Sequence, residues 1–369
     1  MWKHNTRRTI FCLCVDDFGI KCYDKEDILH LENALRPQYT AKIDWEGNNF
    51  LGFKLEWNYA AGHVTLSMPD YIANALKKLQ YLQDVFPQYS PHEHHPINWT
   101  KKGETQYARE EDTSPFLSPK ETLYVQSVVG TFLYYARAID STMLPALNQI
   151  GAQQAQPTQK IRKKLQRLLD YANTHQDTSL RFYASKMQLT VDSDAAFLVL
   201  PKARSRLAGY FRLLDPPLNR KYKHNGAILI ECRAIRNVVT SAAEAETHGV
   251  YHNARVAIPL MHLLVEMGHP QLPIPIKTDN STATGFVNGN IQLKKSKAWD
   301  MKLHWLRDPY NKQFFDVFWD KGKDNDADYF TKHHPTSHHR LHRPTYVQDS
   351  FKILQDNINL IYSNRKSRN

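Results

Sequence analysis

The sequence predicts a mixed fold of the α+β or α/β class, and three observations carry that prediction. Short β-prone runs at 189–191, 207–214 and 227–231 precede a long helical pattern at 244–267, after which strand and helix alternate at 274–278, 283–287 and 314–319. Two more β-prone runs, 11–15 and 18–23, stand near the N-terminus with only an acidic pair between them. Between these strand-rich ends lie two stretches, 121–139 and 160–173, with apolar residues at helical spacing. Strands in sequence followed by strand–helix alternation call for a sheet covered by helices, not a helical bundle.

Each element has its own warrant. Phe11 to Val15 and Phe18 to Tyr23 flank Asp16-Asp17, which the sequence presents as a two-residue hairpin connection holding both carboxylates at an exposed tip. Residues 24–35 repeat apolar side chains at Ile28, Leu29, Leu31 and Leu35 and predict a helix. Residues 49–57 alternate around Phe50-Leu51-Gly52-Phe53, with 63–66 as the hairpin partner. Ser67 is expected to cap the next helix, with Pro69 early in its first turn and Ile72, Leu76 and Leu79 on its buried face. From 83 to 119, prolines at 87, 91, 96, 115 and 119 break every pattern, which predicts a linker or long ordered loop. Helical period then returns through Val128, Phe132 and Tyr135, and again through Ile161, Leu165, Leu168, Leu169 and Ala172.

The C-terminal half carries the chemistry. Four acidic segments, VDSDA, AEAE, KTDN and NDADYFTK, supply Asp192, Glu246 or Glu244, Asp279 and Asp328. Asp192 follows one β-prone run and Asp279 another, the glutamate opens the long helical pattern, and Asp328 falls on a last helical turn or loop. Asp194 competes with Asp192, being two residues on and on the same strand face. Glu246 is preferred to Glu244 because Gly249 lies three positions on, on a face that must pack closely. Carboxylates converging from separate elements can hold two Mg²⁺ ions, with Mn²⁺ as a substitute, to activate water and stabilise the leaving oxygen of a phosphodiester.

Composition narrows the class. A net charge of +11 points toward a polyanionic partner. Candidate nucleic-acid contacts are Arg162, Lys163 and Lys164, Arg204 and Arg206, and Lys294, Lys295 and Lys297. No apolar run approaches the ~20 residues of a membrane span, and the four cysteines make no disulfide framework. An intracellular location is expected, cytoplasmic in a virus-like particle or nuclear. Histidines crowd at 92, 94 and 95 and again at 333, 334, 338, 339 and 342, but no paired-thiol spacing accompanies them, so the sequence is read as lacking a zinc site.

Five ordered stretches carry a resemblance. They are Phe11 to Ile20 with its V-D-D, Asn49-Phe50-Leu51-Gly52, Val129-Gly130-Thr131-Phe132-Leu133-Tyr134-Tyr135, Ser241-Ala242-Ala243-Glu244-Ala245-Glu246, and Thr278-Asp279-Asn280 through Ala327-Asp328-Tyr329-Phe330-Thr331-Lys332. Together they resemble the C-terminal reverse transcriptase and ribonuclease H portion of a copia-type LTR-retrotransposon polyprotein. The resemblance implies a partial palm and thumb-like segment at 1–85, a linker at 86–120, a helical connection at 121–185, an RNase H-like mixed-sheet domain with flanking helices at 186–335 and a basic His-rich tail at 336–369.

It further implies Asp16 and Asp17 as polymerase-site carboxylates, and Asp192, Glu246, Asp279 and Asp328 as a nuclease set acting on RNA–DNA hybrid. No acidic residue precedes Asp16, so no polymerase activity is expected of this chain alone, and a polyprotein or a complementing polymerase fragment is an implied partner. The competing expectation is a retrotransposon remnant that binds nucleic acid without cutting it.

Overall fold

The computed structural model describes residues 1–40, 42–81, 87–94, 112–216, 225–290 and 301–349. Its N-terminal sheet joins β1 (Trp2–Lys3), β2 (Ile10–Cys14) and β3 (Asp17–Lys21) in sequence order, and α1 (Lys25–Leu35) follows with Asp24 at its start. The β2–β3 ladder closes as Cys14↔Asp17. The two-residue connection is therefore Val15-Asp16 and not Asp16-Asp17, and Val15 takes the positive φ (60°) that tight hairpin turns require at their first position. A β-branched residue in that region is strained by roughly 1–3 kcal/mol.

A second sheet comprises β4 (Asn49–Phe50), β5 (Phe53–Asn58) and β6 (His63–Ser67), with α2 (Tyr71–Lys78) after it. Ser67 ends the strand instead of capping the helix, and Asp70 takes the cap position with φ 60°. The helical middle is α3 (Pro119–Ala138), α4 (Leu144–Gly151) and α5 (Gln159–Thr174). Ser118 and Glu121 cap α3 reciprocally, and Thr158 caps α5. These three helices bury Val125, Phe132, Leu147, Leu165 and Leu168 against Ile72 and Leu76 of α2, so the N-terminal segment and the helical middle share one core.

The strand β7 (Ser179–Tyr183) reinforces that union. It pairs antiparallel with β6, His63↔Tyr183 through Ser67↔Ser179, and makes a four-stranded sheet ordered β4-β5-β6-β7. Residues 179–183, which fall within the helical connection that the resemblance implies, instead form a strand that completes the N-terminal sheet, so the expected boundary at 85 cuts through a shared sheet and core. Of the linker at 86–120, residues 87–94 and 112–120 are described, and Ser90 and His92 there are buried.

The C-terminal sheet holds β8 (Gln188–Leu200), β9 (Arg204–Leu214), β10 (Ala227–Ala234), β11 (Ile274–Thr278) and β12 (Phe315–Trp319). Their order is β10-β9-β8-β11-β12, antiparallel across β10-β9-β8 and parallel across β8-β11-β12. This is the mixed sheet expected of an RNase H-like half. On one face α6 (Ala242–Glu266, with Pro259 inside it) and α7 (Ser281–Val287) bury Val250, Ala254, Ala257 and Phe286 against Leu189, Val191, Phe211 and Ile276. The helix α8 (Arg307–Asn311) leads into β12.

The other face meets α9 (Asp328–Thr331) and α10 (Thr336–Tyr346), where Tyr329, Phe330 and Tyr346 cover Ala208 and Tyr210. The expected tail from 336 is thus a packed helix as far as Tyr346. Its Arg343 is fully buried and donates to Asp140 (2.8 Å), Tyr171 (2.6 Å), Thr178 (2.8 Å) and Asp349 (2.6 Å), which ties the C-terminal segment to the helical middle.

Candidate metal centre

The strand β8 does not stop at Asp192. Antiparallel pairing with β9 carries it through Asp192↔Tyr210, Asp194↔Ala208 and Ala196↔Arg206, so both aspartates sit mid-strand and project from one face. Between them Ser193 points the other way, where Asn253 of α6 donates to its hydroxyl at 2.9 Å. The helix lies unusually close to the strand at this level. A Cβ on Gly249 would stand 3.2 Å from the Ser193 hydroxyl and 3.3 Å from the Asp194 carbonyl. That approach brings Glu246, one turn earlier on α6, over the strand.

Asp194, Glu246 and Asp279 meet, each offering a carboxylate oxygen within 4.8 Å of the other two. Asp194 is 2% exposed and Glu246 6%. Thr331 donates to Asp194 at 2.6 Å, Thr278 reaches Glu246 at 3.5 Å, and Trp319 holds the Asp279 backbone carbonyl at 2.9 Å. Asp279 closes the end of β11, where Gly322 lies so near that a Cβ there would stand 2.6 Å from the Asp279 carboxylate.

The electrostatics are those of acids held together against their own repulsion. Burial, then the charge of Asp328, pushes Asp194 up to about 7. Burial, then Asp194 and Asp279, raises Glu246 well above the usual carboxylate range. Asp279 is also raised, chiefly by burial, with Asp328 adding to it. Asp328 opens α9 and is close enough to press on two members of the group. Lys332 pairs with Asp328 one turn on, and although burial works against its charge, Asp194, Asp328 and Asp279 together raise its pKa.

Asp192 stands outside this group. Its carboxylate, 1% exposed, takes Arg212 at 2.7 Å and Lys277 at 3.1 Å, and accepts the Asp326 backbone N–H at 3.3 Å. Arg212 reaches on to Asp326 (2.6 Å) and Lys277 to the Asp324 carbonyl (2.5 Å), while Asn325 donates to the Ser193 carbonyl (2.9 Å). The expected ligand thus anchors the turn that presents Asp328, and the competitor Asp194 takes the place among the carboxylates. Two buried cations neutralise Asp192, which removes the local negative charge a metal needs. Glu244 is likewise committed, accepting from the Thr240 backbone N–H (2.6 Å) and hydroxyl (2.8 Å) ahead of α6.

Sequence reasoning gave no role to Arg212, Lys277, Thr331 or Lys332, although the last two close the Ala327 to Lys332 stretch of the resemblance. For the last two a signal existed, since they stand three and four residues after Asp328, one helical turn away.

The candidate nucleic-acid contacts divide. On α5, Lys163 is exposed, Arg162 is half-buried with its guanidinium over the Tyr124 ring at 4.9 Å, and Lys164 is half-buried. Arg204 is half-buried as well. Arg206 corrects the expectation of a surface contact, because it is 1% exposed and its Nε lies buried without a hydrogen-bond partner. Its alternation with Ala208 and Tyr210 turns it to the inward face of β9. Lys294, Lys295 and Lys297 lie outside the described residues. Asp16 and Asp17 are exposed at the hairpin tip, and among the described residues neither joins a group of three potential metal ligands.

No protein-family model matches the chain. Curated relatives do. The Transposon Ty1-ER2 Gag-Pol polyprotein of Saccharomyces cerevisiae is 22% identical over 349 residues, 91% of this chain and 19% of that protein. The Retrovirus-related Pol polyprotein from transposon TNT 1-94 of Nicotiana tabacum is 22% identical over 323 residues, 88% of this chain and 23% of that protein. The chain therefore spans about a fifth of the length of the curated relatives it matches. Among solved structures, the N-terminal RNase H domain of rv2228c from Mycobacterium tuberculosis aligns at 14% identity over 39% of this chain and 91% of that one, with a TM-score of 0.28. LC11-RNase H1 in complex with RNA/DNA hybrid aligns at 9% identity over 39% and 93%, with a TM-score of 0.29.

Proposed function

We propose that this chain, similar over nine-tenths of its length to retrotransposon polyproteins, hydrolyses the RNA strand of an RNA–DNA hybrid through Asp194, Glu246, Asp279 and Asp328. The observation that carries the reading is the meeting of three carboxylates from β8, α6 and β11 within 4.8 Å, with Asp328 pressing on the group from α9. Hard, closely set carboxylate oxygens suit Mg²⁺, and Mn²⁺ in its place. Two such ions, when bound, supply an activated water and a positive charge beside the leaving oxygen.

The protein's own residues do the rest. Asp194 and Glu246 are held by the strand and helix that Gly249 lets approach, so their geometry is fixed before any cation arrives. Thr331 fixes the Asp194 carboxylate, and Trp319 fixes the end of β11 that carries Asp279. Asp192, through Arg212 and Lys277, holds the 324–326 turn from which Asp328 projects. Lys332 pairs with Asp328 and balances the charge of the group, so it would share the Asp328 carboxylate with a cation held there. Hybrid would be drawn in by sequence-independent, salt-sensitive phosphate contacts to basic side chains such as Arg162 and Lys163, and distinguished from duplex DNA by its 2′-hydroxyls.

Cleavage of a labelled RNA–DNA hybrid by the full chain in Mg²⁺, beside an Asp279→Asn variant, tests the proposal. Cleavage that disappears in the variant is expected. A folded wild-type protein that binds hybrid and leaves it intact would instead make the chain a nucleic-acid-binding remnant.

A further inference from the structure

Glycine in the middle of a strand or a helix costs stability, and its presence there marks a close approach of other atoms. Gly209 in β9 and Gly249 in α6 are two such positions. A Cβ on Gly209 would stand 2.2 Å from Oδ1 of Asn253, and one on Gly249 would stand 3.2 Å from the Ser193 hydroxyl. Ser193 and Gly209 are register partners on β8 and β9, next to the pair Asp194↔Ala208. The Asn253 side chain therefore rests directly on the two strands at the level of Asp194.

Asn253 is fully buried, and its amide nitrogen donates to the Ser193 hydroxyl and to the Ala208 carbonyl, both at 2.9 Å. The carbonyl can only accept, which fixes the nitrogen on that side and turns Oδ1 to Gly209. There Oδ1 is buried without a hydrogen-bond partner among the described residues. A half-satisfied amide is a costly way to fill a helix–sheet contact. Its neighbours on the helix, Val250, Ala254 and Ala257, are apolar. Apolar burial is non-directional and lets a helix slide or roll over a sheet by fractions of an ångström. Hydrogen bonds to two different strands do not.

We infer that Asn253 is a positioning residue: through Ser193 and Ala208 it fixes the helix that carries Glu246 against the strand that carries Asp194, and so sets the affinity of the carboxylate group for a divalent cation. This role presupposes the metal-dependent function proposed above. Asn253 follows Glu246 by seven residues on α6, two turns along the same face and about 10 Å away. A helix is stiff over that span, so a displacement at Asn253 is carried to Glu246. Asp194, Glu246 and Asp279 offer oxygens within 4.8 Å of one another, and Mg²⁺ demands near-ideal octahedral distances from its oxygen ligands. A small shift of α6 then lowers affinity without removing any ligand.

The test is a Mn²⁺ titration of folded full chain, read by calorimetry or by the electron paramagnetic resonance of the free ion. Wild type, Asn253→Leu, Ser193→Ala and Leu264→Ala are compared well below their melting temperatures, whether or not they cut hybrid. Leucine keeps the branched shape of asparagine, but a methyl cannot sit 2.9 Å from two oxygens, so α6 must move off the strands. Ser193→Ala removes one of the two acceptors. Leu264→Ala opens the core at the far end of the same helix and leaves the amide untouched. Mn²⁺ affinity is expected to fall ~10–100-fold in Asn253→Leu, as it does on loss of an outer-shell partner of a metal site, and several-fold in Ser193→Ala. Leu264→Ala should melt lower than wild type and keep its Mn²⁺ affinity. Wild-type affinity in Asn253→Leu overturns the positioning role and leaves the metal centre standing. Should that variant fail to fold, Ser193→Ala decides in its place. An equal loss in Leu264→Ala makes Asn253 one packing residue among others and overturns the role as well. A folded wild type that takes up no Mn²⁺ overturns the function proposed above, and this role with it.

Discussion

The chain presents two acidic sites on β-structure, and they differ in everything except charge. At the hairpin of β2 and β3, Asp16 and Asp17 are exposed on a three-stranded sheet whose strands carry no fully buried side chain. On β8, Asp192 and Asp194 are buried mid-strand, with helices from two directions closing over them. A pair of carboxylates at a tip can touch a cation but cannot enclose one. The β8 site gains a glutamate from α6, an aspartate from β11 and a fourth acid from α9 because the sheet and its covering helices bring four distant segments to one place. Buried acids that repel one another need outside help to stay ionised, and that need is what gives a cluster its affinity for metal.

Within the β8 site a sharper contrast exists between neighbours of the same type. Asp194 is surrounded by acids and Asp192 by cations. The largest expected effect follows from that division. Asp194→Asn should lower hybrid cleavage by at least the ~10²–10³-fold that loss of one preorganised charge-stabilising group costs, at every Mg²⁺ concentration. Asp192→Asn should retain a fraction of activity that rises with Mg²⁺, because its effect passes through the placement of Asp328. Stability should move in opposite directions. Asp192→Asn leaves Arg212 and Lys277 poorly compensated and should cost roughly 3–5 kcal/mol, while Asp194→Asn relieves repulsion and should raise the melting temperature in EDTA at pH 8. Two variants with the same sign of stability change would erase the distinction between anchor and ligand.

A smaller effect, with its sign fixed by linkage, is the pH response of metal-free protein. The native pKa values of Asp194, Glu246 and Asp279 lie above their unfolded values near 4. The native state then holds protons that the unfolded chain releases, and stability falls as pH rises. This contribution is complete below about pH 4 and is lost progressively as pH passes through the raised values, with Asp194 at about 7. Each unit of displacement is worth about 1.4 kcal/mol. Melting in EDTA from pH 5 to 8.5 should therefore show wild type losing ground to Glu246→Gln, and Mg²⁺ should restore it most at high pH. Parallel curves would mean that the acids do not share a site.

How much of this was legible in the sequence depends on how local each cause is. Helices α3 and α5 declared themselves through Val128, Phe132, Leu165 and Leu168, spaced within a turn or two of one another, whereas their caps at Ser118 and Thr158 emerge only in the structure. Helix α4 did not, because six of its eight residues are buried and a helix apolar all round has no amphipathic period to detect. The order of acids along the C-terminal half pointed to Glu246, Asp279 and Asp328. Choosing between Asp192 and Asp194 was beyond it, because strand period puts both on one face and the deciding cations, Arg212 and Lys277, come from β9 and β11. The pairing of β7 with β6 was hidden for the same reason, since its partners at His63 to Ser67 lie far back in the chain.

The smallest expected effect tests the other arm of the comparison. Asp16→Asn and Asp17→Asn remove the charges that the V-D-D resemblance makes conspicuous, yet the hairpin is held by backbone pairing from Ile10↔Lys21 to Cys14↔Asp17 and not by either carboxylate. Asp17 lies within the strand ladder and Asp16 in the turn, and both side chains face solvent. Surface substitutions of this kind usually change stability by no more than about 0.5 kcal/mol, so the double variant should melt with wild type and cut hybrid at the wild-type rate. A clear loss of cleavage would show that the hairpin tip reaches the hybrid on which the β8 site acts. The two acidic regions would then be parts of one nucleic-acid track, and the contrast drawn from their burial would describe a division of labour within it.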